Sequence, residues 1–310
     1  MLTRRTVLLA KVETTYGQDA SPSTSNAILC TNPELTADGK ILTRDYVRDT
    51  ISRMPHSIGR ILVDVKFTTE MKGSGDAGSS TSIIPEVAPL LRACGLSQTI
   101  QGTSAPYTAL YAPISTNFES ATIYIYYDGL LHKITGCRGT FDCEMVAGEY
   151  GKFNWTMRGL YQTPIDASMI SGVYQTSKPP ILENLNLTIG TFSPVAKDFK
   201  FSLDNTLAER EDLNSPKGLK EIMITSRDPK GSIDPESVTN ATYEFWSKWE
   251  NATEQSLSFV VGTANGNKFQ ITSSKVTFSS LKYADRNGLR VFDAGLTFAG
   301  SDDEFVIKFM

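Results

Sequence analysis

The sequence predicts a mainly β protein with a small helical part (α+β), arranged as two similar β-sandwich or half-barrel domains with one helix each. Three observations lead there. Apolar and β-branched runs of strand length recur along the chain and are cut by turn glycines. The clearest case is Thr122–Tyr161, where Asp128-Gly129, Gly136, Gly139, Gly148, Gly151 and Gly159 punctuate a meander. Helical spacing is confined to two short stretches, and part of the chain matches itself at a fixed shift.

The elements follow in order. Thr14–Thr36, rich in Thr, Ser, Asn, Pro and Gly, reads as an extended arm or a long loop. Leu42–Pro55 is mixed and stops at a proline. Ile61–Thr68 alternates strictly, with Ile61, Val63, Val65 and Phe67 on one face of a half-buried strand. Met71–Ser82 is a polar, glycine-rich surface loop. Gly73, Gly75 and Gly78 form a G-x-G-x-x-G match, but polar residues separate them from the helix start at Pro85, so no dinucleotide site is expected. Pro85–Cys94 reads as a short helix, with Gly95 after it and Val87, Leu90, Leu91 and Cys94 on one face. A strand is expected at Ala109–Ile114. Period is lost over Tyr161–Pro180, which places a boundary near residue 170 and divides the chain into domains 1–170 and 171–310.

Beyond that boundary, strands are expected at Leu182–Ile189, Phe199–Leu203, Leu219–Thr225, Leu257–Val261, Lys268–Phe278, Gly288–Phe298 and Phe305–Phe309. A second helix is expected from an Asp234 N-cap, with Pro235 in its first position, to about Glu250. Its apolar face is Val238, Ala241, Phe245 and Trp249, with Trp246 beside it and both tryptophans as core anchors.

Composition narrows the function classes. With 310 residues and 40% hydrophobic content the chain can bury one large core or two average ones. A net charge of −4 argues against a dedicated nucleic-acid-binding surface and suits one that nucleic acid passes without sticking. Four cysteines without a Cys-x-x-Cys pair are no disulfide framework and read as small buried hydrophobes. Two isolated histidines, His56 and His132, are too few for a zinc site or a catalytic triad, so no metal, cofactor or catalytic residue is expected. The run Val7–Ala10 is too short for a signal-peptide core, and no stretch approaches a membrane span.

Sliding the chain by 137 residues lays Gly129 on Gly266, Ile134 on Ile271, Thr140 on Thr277, Phe141 on Phe278, Gly151 on Gly288 and Trp155 on Phe292. The two predicted helices do not superpose under that shift. The match implies an internal duplication, and with it sheets whose open edges neighbouring chains would close.

Four places together resemble the tail tube proteins of long-tailed, non-contractile bacteriophages. They are Lys11–Gly17 (KVETTYG), the meander from Tyr127 to Gly159, Arg227–Glu236 with Phe245–Trp249, and Asp303–Phe309. The resemblance implies two tail-tube-type domains and a structural virion protein, assembled in the host cytoplasm into stacked rings. DNA would cross the resulting tube without sequence-specific binding. Partners implied are other copies of the chain, as a trimer with pseudo-sixfold symmetry rather than a hexamer, and the tape measure, tail terminator and tail tip proteins. Candidate ring-to-ring contacts are Met71, Lys72, Gly73, Ser74, Gly75, Asp76 and Gly78 in the loop, and Tyr16 and Gly17 in the arm. Competing readings are a β-sandwich adhesion module, an inner tube of a contractile injection system, and an enzyme using Glu144 and Glu149.

Overall fold

The computed structural model describes residues 2–310. Strand β1 (Thr6–Val12) and the short β2 (Ala27–Ile28) precede a long hairpin of β3 (Thr31–Leu42) and β4 (Ser57–Glu70). Helix α1 (Ala88–Ala93) follows, then a hairpin of β5 (Leu96–Gln101) and β6 (Thr108–Pro113). The meander is β7 (Ala121–Tyr127), β8 (Leu130–Val146) and β9 (Lys152–Tyr161). The second half opens with β10 (Ile165–Asp166) and β11 (Thr188–Ile189). Its long hairpin is β12 (Ala196–Ser202) and β13 (Asn205–Glu211) against β14 (Leu219–Arg227) and β15 (Lys230–Pro235). Helix α2 (Phe245–Glu250), a meander of β16 (Gln255–Val261), β17 (Phe269–Arg286) and β18 (Leu289–Phe298), and β19 (Val306–Phe309) complete the order.

Hydrogen-bond register gives both halves one strand order, antiparallel throughout. The first half runs β1-β7-β8-β9-β4-β3. The second runs β11-β16-β17-β18-β15-β12. The helices are spaced more widely than the meanders because the β5–β6 hairpin lies only between α1 and β7. That insertion is why no single shift aligns helix and meander together.

The register also corrects the self-match. Phe141 pairs with Trp155 and Phe278 with Leu296, so Trp155 corresponds to Leu296 and not to Phe292. The cause is the turn. A loop over Ala147–Gly151 joins β8 to β9, whereas Asn287-Gly288 joins β17 to β18 in a tight turn with φ of +55° and +84°.

The halves are welded rather than linked. The far end of β8 leaves β7 and pairs with β12, Asp142–Val146 against Ser202–Asp198. Strand β19 bridges β17 and β6. One buried cluster runs from Leu8 and Phe67 through Phe141 and Trp155 to Phe201, Phe278 and Phe309. At its centre Phe141 lies 5.2 Å from Trp155 and 6.2 Å from Phe201, ring centre to ring centre. Burying each such ring contributes about 1.5–3 kcal/mol. Hydrogen-bonded sheet and core therefore both continue across residue 170.

Several expectations are corrected. The Thr14–Thr36 arm ends in strands, because β2 and β3 take up Ala27–Ile28 and Thr31 onward. Of Leu182–Ile189 only Thr188–Ile189 is strand. Asp234 does not cap a helix. It closes β15, and its carboxylate accepts the backbone N–H of Lys197 (2.7 Å) and of Asp198 (2.8 Å) while pairing with Arg286. With the cap engaged across the sheet, α2 starts only at Phe245. Phe245 is its core anchor. Ala241 and Trp249 are exposed and Trp246 is half-buried. The cysteines are free, with Cys94, Cys137 and Cys143 buried and Cys30 half-buried.

Candidate assembly surfaces

The glycine-rich loop is a strap between the halves. Met71 is buried and its N–H donates to the Gly151 carbonyl at 2.8 Å. Lys72, also buried, pairs with Glu86 at 3.4 Å and donates to the Gln175 carbonyl at 3.0 Å. Burial raises the Glu86 carboxyl above its ordinary pKa, against the pull of Lys72. Gly73 donates to Asn267 Oδ1 at 3.0 Å, and Gly75 to the Gly266 carbonyl at 2.9 Å. The backbones approach so closely that a Cβ on Gly73 would sit 2.1 Å from the Gly266 oxygen. Solvent reaches the crest and, beyond it, Ser80 and Thr81. Gly75, Asp76 and Gly78 are exposed and Ser74 is half-buried, held by Ser74 Oγ donating to the Asp76 carbonyl and Gly78 N–H to Asp76 Oδ1.

The KVETTYG segment is a clasp, and Glu13 is the member that sequence reasoning did not single out. Its buried carboxylate accepts from Ser120 Oγ (2.6 Å), Thr122 Oγ1 (2.8 Å), Gly136 N–H (2.7 Å) and Gly17 N–H (2.8 Å). Tyr16 reaches the other half, where its hydroxyl accepts the Ile222 N–H at 2.7 Å. The Arg138 guanidinium lies 4.9 Å from the Tyr16 ring centre. Burial pushes the Tyr16 phenol upward in pKa. Arg138 itself donates to the carbonyls of Ile222 (2.6 Å) and Phe118 (2.8 Å). Tyr16 and Gly17 thus bind within the chain.

The exposed apolar groups lie elsewhere. One set is the first long hairpin and its tip, with Ile41, Leu42, Tyr46, Val47, Ile51 and Ile58 open to solvent. Another is on the second half, where exposed Tyr283 stacks on Phe292 at 4.9 Å, with Trp246 5.5 Å away and Trp249 beyond it. Sequence signals for both were weak. Leu42–Pro55 has no period, and the tryptophans resemble core residues in any window.

Groups that could do chemistry are dispersed or paired. His132 packs edge-on to Tyr127 at 5.6 Å, with its pKa lowered by burial, and His56 stands in the hairpin tip. Glu144 lies opposite Lys200 and Lys152 in the sheet. A cavity of about 430 Å³ against Tyr16, Gly17, Arg60, Gln162 and Lys220 is lined by no carboxylate and no histidine. Among the described residues, no three metal-ligating side chains gather.

Open strand edges, exposed aromatics and long hairpins characterise a mainly β protein. The chain belongs to the phage tail tube protein family, whose family model matches residues 3–303. No curated protein matches it. Membership places the chain in the virion tail.

Proposed function

We propose that the chain self-assembles into rings that stack as the tail tube and conduct phage DNA toward the host cell. The observation that carries this reading is the strand order common to both halves. Two similar sheets, duplicated within one chain and ending in unpaired edges, suit a closed wall shared among subunits. Three chains then supply six similar units, so a trimer with pseudo-sixfold symmetry is favoured over a hexamer. The net charge of −4 suits a bore that does not hold DNA by counterion release. Tape measure, terminator and tail tip proteins are the neighbours such a tube meets.

The crest residues Ser74, Gly75, Asp76 and Gly78 and the arm are the proposed ring-to-ring contacts, with Met71, Lys72, Gly73, Tyr16 and Gly17 setting their position from below. Negative-stain microscopy of the purified chain is expected to show rings or filaments, and native mass spectrometry a ring of three chains. A compact monomer at all concentrations overturns the tube reading, and a six-chain ring overturns the trimer. Deleting residues 73–80 is expected to shorten or abolish tubes. Tubes of unchanged length would remove the loop from the contact.

A further inference from the structure

Within the chain, the junction between the halves is a strand pair. β8 runs past the end of β7, and its free edge takes β12, with Asp142 opposite Ser202, Cys143 opposite Phe201, Glu144 opposite Lys200 and Met145 opposite Phe199. The second half carries the same parts with no strand paired to them; α2 lies beside them, with Trp246 Nε1 donating to the Tyr283 hydroxyl at 3.3 Å and Trp249 Nε1 to the Ser279 carbonyl at 3.4 Å. From Ser280 onward β17 is bonded to β18 on one side only. At the opposite end of the chain β4 is the only strand paired with β3, and apart from that ladder the Tyr127 hydroxyl donates to the Pro33 carbonyl at 3.4 Å.

Register makes the two vacant edges specific to each other. In the first half a row runs Phe141, Trp155, Phe67 and ends at the Asn32-Pro33 bulge of β3. In the second, the matching row runs Phe278, Leu296, Gly231 and ends at Phe201 of β12. Asn32-Pro33 therefore holds the place of Phe201, and Leu281, after the bulge between Phe278 and Ser280, that of Cys143. Exposure agrees with a missing partner. Met145, covered by β12, is 2% exposed, whereas Tyr283 in the corresponding place is 55% exposed.

We infer that Ser280–Lys282 pairs antiparallel with Thr31–Glu34 of a second copy of this chain, repeating between chains the β8–β12 junction made within it. Glu34 of the second copy falls opposite Ser280 and diagonal to Lys282, a favourable cross-strand charge pair. The contact is head to tail, so it closes a ring or propagates and does not stop at a dimer. The inference rests on the tube reading above and names the edges that close the ring.

The test joins cross-linking to hydrogen exchange on full-length protein. Cys30→Ser removes the half-buried thiol. On that background, Glu34→Cys with Ser280→Cys is treated with a short bis-maleimide after assembly. Covalent dimers and trimers are expected on a denaturing gel, and none from Lys40→Cys with Ser280→Cys, which is displaced along β3. In the unaltered protein, amides of Thr31–Glu34 and Ser280–Lys282 are expected to exchange about tenfold or more slowly once assembled. If the paired variant does not assemble, the exchange result decides alone. Rings with neither the cross-link nor slowed exchange overturn the pairing and leave the tube reading standing. Absence of rings or filaments from unaltered protein overturns both.

Discussion

Lys72 and Glu86 show how much a single buried pair can fix. Both side chains are nearly inaccessible, and their 3.4 Å contact anchors the strap to the residues just ahead of α1. A lone buried charge is far costlier than a buried pair. Lys72→Met is therefore expected to destabilise the chain by about 3–5 kcal/mol in urea, and Lys72→Met with Glu86→Met to recover most of that loss. The pair also sets a pH dependence. The folded-state pKa of Glu86 is raised, so the native state holds that proton more firmly than the unfolded chain. Its contribution to stability falls as pH rises from the ordinary carboxyl range toward the raised value. Removing both residues should flatten that slope in the stability–pH curve. At the same scale, Glu13→Gln keeps the shape but replaces one acceptor oxygen with an NH2 facing hydroxyl and amide donors. A loss of about 1.5–3 kcal/mol is expected from the denaturation midpoint.

At the scale of elements, the strap works because two glycine backbones touch. Gly73→Ala puts a methyl against the Gly266 carbonyl, where the obstacle is backbone and cannot swing aside. The strap must lift, at a cost of about 1–3 kcal/mol. Limited proteolysis should cut within 71–82 in the variant and spare the parent. The sequence made the strands legible wherever one face is buried, since alternation along Ile61–Thr68 or Lys152–Tyr161 records that burial directly. Elements that depend on distant partners were illegible. Asp234-Pro235-Glu236 has every local mark of a helix start, yet its carboxylate caps amides of β12. Leu182–Leu187 alternates but forms no ladder, only isolated backbone bonds: Leu182 with Gly148 and Glu149, and the Leu185 carbonyl with the Val260 N–H of β16. The loop's glycines were visible and their purpose was not, because Gly266 lies far along the chain. The candidate contacts divided accordingly, with Gly75, Asp76 and Gly78 on the surface and Met71, Lys72 and Gly73 beneath it.

For the whole molecule the question is whether the halves are separable. Composition loses its period near residue 170, but β8 enters the second half's sheet and Phe201 packs between Phe141 and Phe298. Removing either half would strip partners from Phe141 or Phe201 and leave β8 or β12 as a bare edge, so neither sheet is complete alone. We therefore expect the full chain to unfold in one transition. The tryptophans allow a direct measurement, because Trp155 lies in the first half and Trp246 and Trp249 in the second. In urea, below the concentration at which assembly begins, a Trp246→Phe/Trp249→Phe variant reports the first half and a Trp155→Phe variant the second. Each substitution can shift its own midpoint, so each curve is referred to the circular dichroism of the same variant. Coincidence of fluorescence and dichroism in both is the expected outcome. Separated fluorescence and dichroism transitions in either variant would mean that the boundary near residue 170 divides independently stable domains, and that the welded junction contributes little to holding them.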